Sequence, residues 1–368
     1  MRTITKAIVL CLMPAILAPA ARAQSADWQK TWNETLAAAK QEGKVVVIGS
    51  PDPVMRNEVI PKFTQRFGIS VDFIAGESAQ SVGRLRTERL SGIYSADVLM
   101  AGTSTTLNIL LPEKMIDPLK PLLILPEVTD GSKWKSGKPS FADREQQYVF
   151  MSFGRVDGFM FLNTDYVKRE EIRAFKDLLD PKWQGKISSE DPTANGRGIS
   201  RSGQLFHQFG ADFVKKLYID QKPQLSRNRR QLTDWLARGT APICLTCRAD
   251  DAADLQKEGY KLYEVFDLSD AKNLLDAQPF LLSYANRAPH PNAARVFINW
   301  LVGKEGLEIY SRGYDAPTLR TDMDESFLDP RTIPKPGVAY QDDIEPEWAT
   351  TGRRLAGEKV RELLGGVK

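Results

Sequence analysis

Three times between Lys44 and Leu111 a short apolar run ends in small residues and hands over to helical periodicity. "KVVVIGSPDP" sets an apolar run ahead of Gly49, Pro51 and Pro53, and "ISVDFIAGES" and "ADVLMAGTSTT" repeat the plan, with helices expected over 59–67, 79–90 and 107–111. A continuous apolar run suits a strand covered on both faces, as in a parallel sheet between helix layers. Strand, loop and helix repeated in this order indicate an open α/β sheet. In such sheets ligands bind beyond the carboxyl ends of the strands, where these small-residue loops lie. Ahead of the first strand, Trp28, Trp32, Leu36 and Ala39 mark an amphipathic helix that Gly43 ends.

A loop-rich connection over 112–139 leads to two adjacent strands, "YVFMSFG" and "DGFMFLNTDYV". A second α/β unit follows. Its expected elements are a helix over 169–179, a strand over 186–189, helices over 198–209, 212–218 and 229–237, the strand "APICLTC" and a helix over 249–258. "KLYEVF" and "QPFLLSYANR" are further strands. A helix pair, 292–302 and 304–311, precedes a polar tail.

Three stretches carry a specific resemblance: "FLNTDYV", "FKDLLDPKWQGKISSEDPTANGRG" and "RAPHPNAARVFINWLVGKEGLEIYS". They resemble, in order, a crossover strand, a turn running into an Asp-Pro loop, and the late helix pair of the periplasmic substrate-binding proteins of ABC importers. The resemblance is to the group that includes ferric-iron, polyamine, thiamine and phosphorylated-sugar binders (extracellular solute-binding protein family 1-like), and it runs over most of 44–321. It implies a two-lobed type II periplasmic binding protein fold, with two α/β lobes joined by crossing hinge strands and one ligand held between them. On that basis residues 24–155 and 277–325 form the N-terminal lobe, 156–276 the C-terminal lobe and 326–368 a C-terminal tail. The implied hinge lies near 155–163 and 276–282.

The chain's start fits export. Arg2 and Lys6 precede the apolar run 7–17, and Ala21-Arg22-Ala23 has a small-x-small cleavage pattern, so residues 1–23 are expected to be a signal peptide and the mature protein to be periplasmic. The formal charge of +3 is carried by Arg2, Lys6 and Arg22, so the mature surface is balanced. That argues against nucleic acid as a partner, which calls for a basic excess. The expected partners are a small-molecule ligand and a permease of the inner membrane, with the chain itself a monomer as is usual in the family.

Catalytic groupings are missing from the sequence. His207 and His290 are the two histidines, and neither belongs to a nucleophile or zinc motif. His207 is expected as a packed helix residue and His290 as a helix-cap neighbour. Neither a catalytic residue, a metal site nor a cofactor is expected. Cys244 and Cys247 form a C-x-x-C pair in an oxidising compartment, which fits a local disulfide, buried thiols, a position near the ligand, or a redox pair. In the ferric-binding relatives the loop after this strand carries two adjacent tyrosines. Here it reads "LTCRADD", so ferric iron would need another oxygen set.

The candidate ligand residues lie at strand ends. The first lobe offers Ser50, Asp52, Glu77, Ser78, Thr103 and Ser104; the second offers Thr193, Asn195, Gly196, Arg197, Arg201, Arg227, Asn228, Thr246 and Arg248. "DPTANGRG" is expected to present free backbone N–H groups at a helix start, which suits an anion. Several arginines beside hydroxyls suit a carboxylate or phosphate, since a guanidinium pairs with either through two hydrogen bonds. Asp52 and Glu77 point instead to a cation. The reading adopted is a binding protein that closes on a small polar anion. Its rivals are a ferric-iron binder with a non-tyrosine site and a thiol enzyme or redox protein using Cys244 and Cys247.

Overall fold

The computed structural model describes residues 19–365 apart from 195, 344 and 346. The expected signal peptide, Cys11 included, falls almost wholly outside the described residues, and Asn195 falls outside them too. Among the described residues no helix is long and apolar enough to cross a membrane.

Among the described residues, fifteen strands fall into three sheets. The first sheet holds β1 (Lys44–Gly49), β2 (Ser70–Ala75), β3 (Val98–Ala101), β4 (Ile116–Asp117), β5 (Ser140–Phe141), β6 (Val149–Met151) and β14 (Leu281–Ala285). β1 lies parallel to both β2 and β3 and is buried over Val45–Gly49, as its continuous apolar run requires. β14 then pairs antiparallel with β3 and β6. One face packs on a core containing Phe63, Phe150, Phe297 and Trp300, which brings in the helices Ile60–Phe67 and Pro291–Leu301.

The second sheet runs β10 (Gln224–Ser226), β9 (Ile187–Glu190), β11 (Ile243–Cys244), β8 (Met160–Asn163), β12 (Leu262–Val265). Its core gathers Phe159, Phe175, Trp183, Leu205 and Phe213. Trp183 is buried beneath its Asp-Pro turn, where Asp180 accepts from the backbone of Lys182. This turn is scaffold, packed on the second core.

The lobes are joined by a small third sheet: β7 (Arg155–Asp157) pairs antiparallel with β13 (Leu274–Asp276), and β15 (Gln341–Asp342) pairs parallel with β13. The first crossing lies within the expected segment 155–163, and the second overlaps the expected segment 276–282 at Asp276. The third comes from the tail.

Two expectations need correction. The segment 169–179 is not one helix but two short 3-10 turns, Arg169–Glu171 and Phe175–Leu179, because the Asp177 carboxylate takes the backbone N–H groups of Arg173 and Ala174 and breaks the run between them. The polar tail is not featureless. It ends in the helix Arg353–Leu364, whose Ala356, Val360 and Leu364 are buried.

Candidate functional site

The strand ends of the first lobe carry the candidate residues of the first wall. Ser50 and Ser78 line a cavity of about 20 Å³ with Gly76, Ser81, Ala101 and Thr105, room for about one water. Glu77 precedes the helix Ser78–Leu90 and is exposed, with no capping bond from its side chain. Thr103 is buried, while Ser104 is exposed and its hydroxyl accepts from the Arg353 guanidinium at 3.3 Å.

Asp52 is fully engaged. Its Oδ1 accepts from the Met55 N–H at 2.9 Å and the Tyr314 hydroxyl at 2.8 Å, and its Oδ2 accepts from the Tyr310 hydroxyl at 3.0 Å. Burial, and then the charge of Asp52, push both phenol pKa values upward, so the tyrosines remain donors. Asp52 therefore pins a helix start to the helix Lys304–Tyr314.

The second wall is built from the loops after β9, β10 and β11. The loop "DPTANGRG" consumes its own donors: Thr193 N–H and hydroxyl both go to Asp191 Oδ1, Ala194 N–H to the Asp191 carbonyl, and Gly198 N–H to Glu190 at 3.1 Å. Of the expected row of free N–H groups, those of Thr193, Ala194 and Gly198 are thus taken up within this segment. Gly198 is sterically required here, since a Cβ would stand 2.0 Å from the Asp191 carbonyl oxygen. Gly196, at φ +119°, lies in the region that only glycine adopts without strain.

The arginines differ in their commitments. Arg201 is buried, with its three nitrogens bonded to the Leu245 and Gly158 carbonyls and to Gln204, and burial lowers its pKa. Arg227 pairs with Asp191 at 2.8 Å and Arg248 with Asp250 at 3.0 Å. Asn228 caps the helix Arg229–Arg238, and Thr246 is buried, accepting from the Glu190 N–H at 2.7 Å. Arg197, first residue of the helix Arg197–Lys215, makes no hydrogen bond or ion pair with a described side chain. Its charge nevertheless reaches Asp276 and Arg201.

Cys244 and Cys247 are joined by a disulfide and buried just beneath this wall. His290 receives its place from the fully buried Asp97, which accepts from His290 N–H at 2.7 Å and lies 2.8 Å from Nδ1. His207 departs from expectation. It is exposed, and its ring lies against Trp348 at 4.6 Å between centroids.

Between the walls lies the hinge sheet, and one of its faces is charged. Strand alternation puts Arg155 and Asp157 of β7 on the same face as Asp276 of β13, with Asp276 opposite Arg155 in the register. Glu264 reaches this layer from β12, with Arg155 at 3.8 Å. Burial, reinforced by Asp157, pushes the Asp276 carboxyl up to about 7. Burial also drives Glu264 up to about 7, with Arg155 opposing. Asp276 Oδ1 is sealed from solvent without a hydrogen-bond partner. Arg353, from the tail, completes the layer, lowered to about 10 by burial against the pull of Asp276. These residues were not singled out from sequence, although "RVD" alternates charged and apolar residues in the way that marks one polar face of a strand.

A model of the family described as bacterial extracellular solute-binding protein matches residues 58–335, which take in most of the candidate residues of both lobes, though not Ser50 and Asp52, and two of the three hinge strands. The chain belongs to this family. An uncharacterized protein of Haemophilus influenzae is 22% identical over 351 residues, 89% of this chain and 92% of that one. Among solved structures, the periplasmic binding protein AfuA of Actinobacillus pleuropneumoniae, with fructose-6-phosphate bound, superposes with a TM-score of 0.66 at 17% identity, covering 88% of this chain and 99% of that one. The apo ferric ion-binding protein A of Pasteurella haemolytica gives a TM-score of 0.67 at 16% identity, covering 87% and 98%. At such identities the likeness establishes the shared two-lobed fold. One of these structures holds a sugar phosphate and the other is named for the ferric ion, so the cargo of this member has to be argued from its own side chains.

Proposed function

We propose that the chain is the periplasmic receptor of an ABC importer, which closes its lobes on a small anion bearing a carboxylate or phosphate and delivers it to a membrane permease. No bond is made or broken. The observation that carries the anionic reading is Arg197: a guanidinium at a helix start in the cleft, unpaired among the described residues, while its neighbours Arg201, Arg227 and Arg248 are already paired. An unpaired guanidinium is a ready partner for a carboxylate or phosphate, which it can grip by two charge-assisted hydrogen bonds. Ser50, Ser78 and Ser104 on the facing wall offer hydroxyls to a sugar or an organic acid.

Ferric iron asks for a different wall. Among the described residues no three His, Cys, Asp or Glu side chains converge as a metal site, and Asp52 is saturated by two phenols and a backbone N–H. The loop after β11 presents Arg248 where phenolates would be wanted.

The test is a melting-temperature screen with inorganic phosphate, fructose 6-phosphate, citrate, spermidine and a ferric chelate. At least one anion is expected to raise the melting temperature, and Arg197→Gln to weaken its binding by about tenfold or more, the worth of a charge-assisted pair. Stabilisation by spermidine or by ferric ion, with none of the anions active, would falsify the anionic reading.

A further inference from the structure

From Gln341 onward the chain does something that the matched family region, which ends at residue 335, does not include. It enters the hinge as β15, where Gln341 N–H donates to Asn273 and Asp343 N–H to Leu275, and the Gln341 side chain accepts from Gln208 of the second lobe. The next turn faces both lobes at once. The Trp348 ring lies against His207 of the second lobe, while its neighbour Ala349 is fully buried in the first lobe's core among Leu107, Leu110 and Val82. The Ala349 carbonyl accepts from Asn108 Nδ2 of the first lobe at 3.2 Å.

Arg353 adds a second contact with the first lobe. It donates to Ser104 while its other nitrogen holds Asp343, just past β15 in the same segment. The chain then anchors in the second lobe. The helix Arg353–Leu364 lies along the helix Arg197–Lys215, with Gly203 and Gly357 letting the two backbones approach, and buries Val360 and Leu364 in the second core. Arg361 donates to the Thr193 carbonyl in the cleft loop.

We propose that β15 and the segment 347–364 form an interlobe strap: anchored in the second lobe by the last helix and hooked onto the first by Ala349 and Arg353, it limits how far the cleft opens. Opening about β7 and β13 separates Ser104 and Asn108 from the helix Arg197–Lys215, and the strap spans that gap. The hooks are short-range, polar on the Ser104 and Asn108 side and apolar at Ala349. They therefore yield in a step rather than stretch, which holds the ligand-free protein in a narrow range of interlobe angles.

The strap is tested without a ligand, so its failure is distinct from failure of the anionic reading. Nitroxide labels on Lys62→Cys in the first lobe and Lys257→Cys in the second report the interlobe distance in ligand-free protein under non-reducing conditions. Ser104→Ala combined with Asn108→Ala removes the polar hooks from the first-lobe side and leaves the anchor helix untouched; Arg353→Gln removes one from the strap side. Both variants are expected to keep a cooperative melt while the distance distribution becomes longer and broader. A distribution that superposes on that of the parent protein, in variants that remain folded, overturns the strap.

Discussion

Asp276 sets the sign of a pH effect. Its carboxyl lies at about 7 in the folded chain, lifted by burial and by Asp157, against about 4 when unfolded. Between those values the folded state holds a proton that the unfolded state has lost, so stability falls as pH rises through this window and levels off above it. Glu264 acts in the same direction. Carboxyls held low, such as Asp191 and Asp329, which hydrogen bonds from Thr193 and Arg331 respectively help to depress, titrate below the window. The melting temperature is therefore expected to drop between pH 5 and pH 8, and Asp276→Asn, neutral throughout, to flatten that drop by several degrees. An identical slope in the variant removes Asp276 from the account. At this scale the sequence was least legible. Asp52, Thr246 and Arg201 have the side chains of ligand groups, and only their partners Tyr310, Glu190 and Gly158 show that they are occupied. Those partners lie far away in the chain, so spacing carried no sign of them.

Among the elements, the helix Pro291–Leu301 shows how local signals and distant partners divide the work. Its Pro-His-Pro-Asn start was legible from sequence, yet His290 supplies no side-chain cap. The cap comes from Glu42, at the end of the first helix, whose carboxylate accepts from the N–H groups of Asn292 and Ala293 and from the Asn292 amide. A carboxylate there satisfies orphan donors and meets the positive end of the helix dipole. Glu42→Ala is expected to lower stability by about 1–2 kcal/mol, on the scale of a lost cap, with Glu42→Gln intermediate. Urea denaturation midpoints check this, and an unchanged midpoint for Glu42→Ala means that the cap contributes nothing. The main helices and buried strands were legible because each shows its own period. The turns over 169–179 were not, because Asp177 outcompetes the helix for backbone N–H groups. The last helix was read as polar tail because its buried face, Ala356, Gly357, Val360 and Leu364, is small and sparse.

Across the whole molecule, two sheets with separate cores are joined at three short strands, so the softest internal coordinate is the angle between lobes. A ligand shifts that angle only through contacts it makes better in one state than in another. Arg197 stands on the second lobe and Ser50, Ser78 and Ser104 on the first, so an anion touching both sides gains its full set of contacts when the walls meet. The balanced hinge layer supports such a motion, because Arg155, Asp157, Glu264, Asp276 and Arg353 remain in one another's fields on the crossing strands and tail while the walls move. Saturating anion is thus expected to lower the radius of gyration in small-angle scattering, and Arg197→Gln to abolish the change while leaving the ligand-free profile as it was. Superimposable profiles with and without an anion that calorimetry shows to be bound would place the binding energy within one lobe. The hinge would then be a fixed joint.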